Sequence, residues 1–132
     1  MAVTDLKGDR MEIITGNDNV VIVDNFQSKR GGCSLDVTGY PKDVINAGHV
    51  IIRDTVTGDY KPMPLNGAGT DYDVLPANHE YAGILIASIF KKRAFAGIMV
   101  RGTVNYEAAP FSMTTIMAAV KAALPLIYFR KD

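Results

Sequence analysis

Two nearly continuous apolar stretches decide the fold of this sequence: Ala82-Gly83-Ile84-Leu85-Ile86-Ala87-Ser88-Ile89 and Phe95-Ala96-Gly97-Ile98-Met99-Val100. Short apolar runs rich in branched side chains are typical of strands that are covered on both faces of a sheet. Lys91-Lys92-Arg93 lies between them and predicts a solvated hairpin turn. The chain is therefore expected to be built around a well-buried β-sheet.

Further strands are predicted on both sides of this pair. Residues 33–37 and 48–54 place alternate side chains on opposite faces of a sheet. Residues 60–65 contain two prolines, which cannot donate to a β-ladder, so this strand is predicted at a sheet edge. Residues 126–129 predict a last strand. The strands follow one another too closely for parallel crossovers, which need about a dozen residues each, so a mostly antiparallel sheet is expected.

One helix is predicted near the C-terminus. Ser112 is a suitable N-cap, and Pro125 ends the helix after Leu124 because proline lacks the N–H that a helix interior needs. The apolar positions recur at helical spacing and form one stripe: Met113, Ile116, Met117, Val120 and Leu124. The predicted fold class is mainly β, a small antiparallel β-barrel or sandwich-like domain with one helix in its C-terminal region.

An N-terminal arm, residues 1–30, is predicted to precede a β-rich domain of residues 31–132. Within the arm, residues 11–15 and 20–24 are rich in strand-forming side chains and flank a turn-forming Gly-Asn-Asp-Asn sequence. This pattern is typical of a β-hairpin. Residues 27–32 are polar and end in two glycines, which predicts a flexible joint between arm and domain.

Composition narrows the class of protein. The chain of 132 residues is about one domain long, and its 14 basic residues balance 14 acidic ones, so nothing favours nucleic acid or an anionic membrane as a partner. A hydrophobic fraction of 48% is high for a small domain, which indicates apolar surface covered by subunit contacts. Cys33 is the single cysteine and allows no internal disulfide. The start lacks an apolar signal segment, so folding in a reducing cytoplasm is expected.

No catalytic residue is predicted. Ser34, His49 and Asp54 are the nearest approach to a nucleophile, base and acid, but the Gly-x-Ser-x-Gly pattern around a nucleophilic serine is missing. The favoured interpretation is a half-exposed strand histidine, His49, and a loop histidine, His79.

No metal or cofactor is predicted either. Asp71, Asp73 and Asn66 could offer oxygen atoms to calcium, but the order of an EF-hand is missing, and solvated loop residues are the favoured interpretation. The glycines at 67 and 69 are not followed by Gly-Lys-Ser/Thr, so they form no phosphate-binding loop. The basic turn at 91–93 lacks the interleaved aromatic residues of a nucleic-acid site.

Three ordered segments carry a family resemblance. They are Ala47-Gly48-His49-Val50-Ile51-Ile52-Arg53-Asp54 with Thr57-Gly58-Asp59-Tyr60-Lys61-Pro62-Met63-Pro64, then Tyr81-Ala82-Gly83-Ile84-Leu85, then Phe95-Ala96-Gly97-Ile98-Met99-Val100-Arg101-Gly102-Thr103-Val104-Asn105. Their order resembles the head-fibre proteins of tailed phages of gut bacteria and, more distantly, the lambda-type head decoration proteins. The resemblance covers residues 33–129, and the combination carries it, since each segment alone is common strand chemistry.

The resemblance implies a virion protein at the capsid surface, a homotrimer that stabilises or ornaments the phage head after folding in the host cytoplasm. Its implied partners are further copies of itself and the major capsid protein, with no nucleic acid and no membrane. In such proteins an N-terminal arm docks on the capsid by adding a strand. The side chains predicted for this attachment are Met11, Ile13, Val20 and Ile22. The side chains predicted for contact between subunits are Met113, Met117 and Val120.

Two other classes of protein remain open at this point. A tail- or baseplate-associated fibre module would share the β-rich, oligomeric character. A small β-barrel that binds a sugar or a cell-surface ligand is the second alternative, with four tyrosines as candidate lining residues: Tyr40, Tyr60, Tyr72 and Tyr81. An enzyme is the least favoured class, because the sequence offers no set of reacting groups.

Overall fold

The computed structural model describes residues 15–131 and is mainly β, with antiparallel sheets. The strands are β1 Ile22–Ser28, β2 Cys33–Ser34, β3 Val44–Ile45, β4 Val50–Asp54, β5 Tyr60–Pro62, β6 His79–Leu85, β7 Ile89–Phe90, β8 Phe95–Ala96, β9 Ile98–Asn105 and β10 Ile127–Arg130. The helices are α1 Asp18–Val21 and α2 Met117–Ala123, and a single 3₁₀ turn covers Lys91–Arg93.

The main sheet has six strands. Five of them follow the order β1-β9-β6-β4-β5, and β10 pairs with β9 beside them. β9 is the organising strand, since β1 pairs antiparallel along one edge while β6 and β10 share the other. β10 runs parallel to β9, and the remaining pairings of the sheet are antiparallel. β1 and β5 therefore lie at opposite edges of the sheet.

Each face of this sheet carries a hydrophobic core. On one face, Val50 and Ile52 join a core that α2 covers, while Ile51 lies in a second core on the opposite face. Two short ladders, β2 with β8 and β3 with β7, bring residues such as Ile45 and Ala96 into the second core. The predicted alternation of residues 50–52 is confirmed, and so is the sandwich-like, mainly β class. Among the described residues the sheet does not close into a barrel.

The two apolar stretches, residues 82–89 and 95–100, are each divided between two strands. The first gives β6 and β7, and the second gives β8 and β9. The hairpin predicted at the basic turn is wrong, because β7 pairs with β3 and β8 pairs with β2. The backbone N–H of Lys91 donates to the Asp43 carbonyl at 2.7 Å, and its ammonium donates to the Tyr40 carbonyl at 2.7 Å. These bonds direct the turn to the loop before β3.

The N-terminal region also differs from its prediction. Met11, Ile13 and the rest of the first predicted hairpin strand lie outside the described residues. Asp18–Val21 is a short helix instead of the start of a second hairpin strand, and β1 begins only at Ile22. The predicted flexible joint is wrong in its first half, because Gln27 and Ser28 pair with β9. The described part of the arm thus belongs to the main sheet, where Val21 is buried in the first core.

The C-terminal helix is shorter than predicted. α2 begins at Met117 rather than near Ser112, and its first residue follows a turn without a side-chain cap. Ser112 forms an isolated bridge with Asp71, which holds it in extended backbone, and its hydroxyl accepts the N–H of Thr114 at 3.3 Å. A turn of residues 114–116 follows this bond, and the helix begins only after that turn. The end of the helix before Pro125 agrees with the prediction.

Strands β6 and β9 approach closely at Gly83. A Cβ atom at this position would collide with the Met99 carbonyl and with the Ile98 side chain, both on the neighbouring strand. Gly83→Ala is expected to lower the free energy of unfolding by about 2 to 3 kcal/mol in urea denaturation, because a packed backbone cannot move aside. Gly67→Ala is the control, since no atom lies within 4 Å of its added carbon. A change within about 0.5 kcal/mol is expected there, and equal losses in both variants would contradict the packing argument.

Candidate functional site

Strand β1 lies at a sheet edge that no other described strand covers, and it carries exposed apolar side chains. One edge of β1 pairs with β9, and no other strand of the described chain pairs with it. Val23 and Phe26 are 39% and 69% exposed, and Val20 in α1, just before the strand, is 51% exposed. Unpaired N–H and C=O groups beside apolar side chains are the features by which a sheet accepts a strand from another chain. This edge is the candidate binding surface.

The ladder between β1 and β9 is irregular. Its register shifts at three places, between Ile22 and Asp24, between Asn25 and Gln27, and between Gln27 and Ser28. Bulges of this kind twist an edge and make indiscriminate pairing with other chains less favourable. A partner strand must therefore match an uneven edge, which favours a specific partner over general aggregation.

The residues predicted for capsid attachment fall in different environments. Met11 and Ile13 lie outside the described residues. Val20 is exposed, whereas Ile22 is half-buried, pairs with Val104 and packs on the first core. Val20 is thus available to a partner, and the Ile22 side chain is largely committed to its own chain. Sequence reasoning missed Phe26, although a lone aromatic residue between Asn25 and Gln27 was a readable signal of an exposed anchor.

The helix stripe predicted for subunit contact belongs mainly to the core of one chain. Met113 is 1% exposed and Val120 is 0% exposed, so neither has surface to offer a second copy. The assignment of these two residues is corrected accordingly. Met117 is only partly buried against the same core, and its contact with another subunit stays a prediction. The physical reason is that Met113 and Val120 share one core with apolar residues of three strands, Ile84 of β6, Val104 of β9 and Phe129 of β10.

Ser34, His49 and Asp54, the nearest approach to a catalytic triad in the sequence, do not lie together in the structure. His49 is fully buried, and its Nε2 lies 3.0 Å from the Met63 carbonyl, to which an Nε2–H donates. Asp54 faces a different histidine, His79, whose Nε2 lies 3.8 Å from the carboxylate. Ser34 is an exposed residue in β2. The pKa of Asp54 is lowered, first by hydrogen bonds from the Val56 and Thr57 amides, as expected for a carboxylate that orders a turn.

His49 is the centre of an aromatic cluster. The rings of Tyr40, Tyr72 and Phe111 contact it edge to face, at centroid distances of 5.6, 5.1 and 5.6 Å. Burial lowers the pKa of His49 to about 4, against a smaller opposing effect of the bond to Met63. His49 is therefore a neutral core residue, not the half-exposed strand residue that the sequence predicted.

The four tyrosines do not form one ligand site. Tyr72 is buried, and its hydroxyl accepts the Val50 N–H at 3.0 Å. Tyr40 is buried as well, and burial raises its pKa to about 12. Tyr60 lies elsewhere, with the Lys29 ammonium 5.3 Å and the Arg53 guanidinium 6.0 Å from its ring centroid. Tyr81 is half-buried and packs against the first core. These rings serve packing rather than a shared sugar platform.

The loop considered for calcium is held by its own side chains. The Asn66 side-chain oxygen accepts the amides of Thr70 at 3.1 Å and Asp71 at 3.5 Å, and Asp73 accepts the amide of Val74 at 2.8 Å. Asn66 therefore shapes the loop, and its oxygen is occupied. Within residues 15–131, no three His, Cys, Asp or Glu side chains are grouped so that they could hold a metal ion. No helix in this described part is long and apolar enough to cross a membrane.

The buried histidine makes a prediction about acid stability. As the pH falls below about 6.5, the unfolded chain binds a proton on residue 49, while the folded chain resists it down to about pH 4. The free energy of unfolding is therefore expected to fall by roughly 1.4 kcal/mol per pH unit in this window, or about 2 to 3 kcal/mol between pH 7 and 4.5. Urea denaturation at several pH values measures this loss.

Two variants isolate the contribution of His49. His49→Gln keeps a donor near the Met63 carbonyl but cannot titrate, so its stability should fall less between pH 7 and 4.5. Carboxylates with lowered pKa values, such as Asp36 and Asp54, destabilise both proteins alike as they protonate in more acidic solution. His79→Gln is the control for the same substitution at the other histidine, and the loss that His49 causes should persist in it. Equal slopes for wild type and His49→Gln would show that burial of this imidazole is not the cause.

Comparisons with known proteins give no relative for this chain. No protein-family model matches it, and no curated protein or solved structure matches it.

Proposed function

We propose that this chain is a non-enzymatic structural protein of a phage particle, a head-fibre or decoration subunit that sits on the capsid surface as an oligomer. The observation that carries the proposal is the edge of β1 that no other described strand covers, with the exposed side chains of Val20, Val23 and Phe26 beside it. A protein whose role is attachment needs such an edge and no reacting groups. The resemblance of residues 33–129 to head-fibre and decoration proteins supports the same conclusion.

The attachment works by strand addition. A segment of the major capsid protein lies along the edge of β1 that faces away from β9 and satisfies its outward N–H and C=O groups, while Phe26 and Val23 supply apolar contact. Burying one such side chain contributes about 1.5 to 3 kcal/mol. The bulges of the β1 edge select a partner strand with a matching shape.

Oligomerisation makes a modest contact sufficient. Two or three edges held in one trimer bind neighbouring capsid sites at high effective concentration, so the whole assembly binds much more tightly than one copy. Met113 and Val120 lie in the core and cannot form the subunit contact, so the trimer uses other surface. Leu126 and Tyr128 are both 64% exposed at the C-terminal end and are the apolar side chains we assign to it.

The oligomeric state is the first test. Light scattering on the purified full chain is expected to give a particle three times the 14.3 kDa mass of one chain. Leu126→Ser combined with Tyr128→Ser is expected to shift the distribution toward monomer, because apolar area that drives association is removed. A wild-type monomer at micromolar concentration would contradict the trimer.

Capsid binding is the second test. Phe26→Ser is expected to weaken co-sedimentation with purified phage capsids at least tenfold, because it removes the main exposed anchor of the β1 edge. Phe95→Ser is the matched control, since Phe95 is also 63% exposed but lies on β8, which pairs with β2 outside the main sheet. Both variants should unfold at the wild-type urea midpoint. Equal binding by Phe26→Ser and wild type, or an equal loss in both variants, would contradict attachment through β1.

A further inference from the structure

A groove opens at the sheet edge opposite β1. Its volume is about 470 Å³, which is within the range of small-molecule sites. It lies between the loop that follows β2, strand β5 with the segment after it, and the start of β6. The residues that line it and matter here are Asp36, Thr38, Lys61, Pro62, Pro64 and Asn66.

Backbone hydrogen bonds fix the walls of this groove. The Asp36 amide donates to the Tyr60 carbonyl at 2.8 Å, which ties the first loop to β5. The Asp73 amide donates to the Pro64 carbonyl at 2.9 Å and holds the segment after β5. The Lys91 ammonium donates to the Tyr40 carbonyl and anchors the far end of the loop. Because the walls are already ordered, little conformational entropy is lost when a ligand enters.

The groove combines apolar walls with groups that donate and accept hydrogen bonds. Pro41, Pro64 and Pro76 present carbon surface, and Pro62 and Ile52 are buried behind it. At the rim, Asp36 supplies an acceptor and Lys61 a donor. The pKa of Asp36 is lowered, first by hydrogen bonds from Thr38 and also by the charge of Lys61, so the carboxylate is ionised at neutral pH. One Asp36 oxygen accepts the Thr38 amide at 3.1 Å.

This chemistry discriminates between classes of ligand. A peptide strand is disfavoured, because Pro62 and Pro64 have no N–H to offer along the edge of β5, and the Tyr60 carbonyl is already bonded to Asp36. A phosphate is disfavoured, because the negative charge of Asp36 opposes the single ammonium of Lys61. A neutral ligand with several hydroxyl groups fits, since each hydroxyl both donates and accepts, while its C–H faces pack on proline.

We propose that this groove binds one or two units of a neutral saccharide, with Asp36 and Lys61 as the polar contacts and the prolines as the apolar wall. The site is additional to the capsid contact. β1 and β5 lie at opposite edges of the sheet, so a subunit attached through β1 keeps the groove open to solution. A capsid-bound copy would then present a glycan-binding face outward.

Amide chemical shifts of the ¹⁵N-labelled full chain test this proposal. The probes are glucose, galactose, mannose, N-acetylglucosamine, lactose and maltose, each at about 10 mM, where a millimolar dissociation constant gives near saturation. At least one neutral sugar is expected to shift amides of residues 36–40 and 65–67. Inorganic phosphate and a proline-rich peptide are the competing probes. No shift with any sugar, or groove shifts with phosphate or the peptide alone, would overturn the proposal.

Three variants link the shifts to the groove. Asp36→Asn and Gly67→Phe are each expected to weaken sugar binding at least tenfold, the first by removing a charged acceptor and the second by filling the open space beside Gly67. Asp43→Asn is the control, because Asp43 is an exposed carboxylate that does not line the groove. Unchanged affinity in both groove variants would place the sugar elsewhere and contradict the proposal. Capsid co-sedimentation of these variants is expected to equal that of wild type, which separates failure here from failure of the capsid proposal.

Discussion

Strands β6 and β9 approach closely at Gly83, where the absence of a side chain leaves room for the Met99 carbonyl and the Ile98 side chain. The rest of the fold depends on this contact, because the two strands carry both cores. Ile84 and Met99 face the core that α2 covers, and Leu85 and Ile98 face the core beneath the short ladders. A displacement of β9 would move its partners β1 and β10 as well, so the position of this strand also sets the geometry of the candidate binding edge.

The sheet order separates the two surfaces to which a function is assigned. β1, at one edge, presents exposed apolar side chains on a bulged strand, and β5, at the other, presents prolines and a rigid polar groove. An edge with free N–H and C=O groups suits a protein strand, whereas an edge interrupted by proline does not. The two ends of one sheet are thus suited to different partners, and a subunit that attaches by one end can present the other.

Several features were predictable from residues that are local in the sequence. The alternation of Val50, Ile51 and Ile52 between two cores follows from the two-residue period of a strand, and the edge position of β5 follows from its prolines. The depth of His49 was not predictable, because its aromatic neighbours come from distant loops at Tyr40, Tyr72 and Phe111. Whether a histidine in a strand is exposed to water or buried among aromatic rings depends on tertiary packing.

The sequence by itself located most of the strands and the end of the C-terminal helix before Pro125, but not α1, β3 or the start of α2. Tertiary structure alone decided which strands are neighbours: β1 beside β9, and β10 parallel to β9. It also decided that Met113 and Val120 fill a core and leave no surface for a subunit contact. The physical reason is that backbone hydrogen bonds are the same for every residue except proline, so a strand's side chains encode its buried face but not its neighbour.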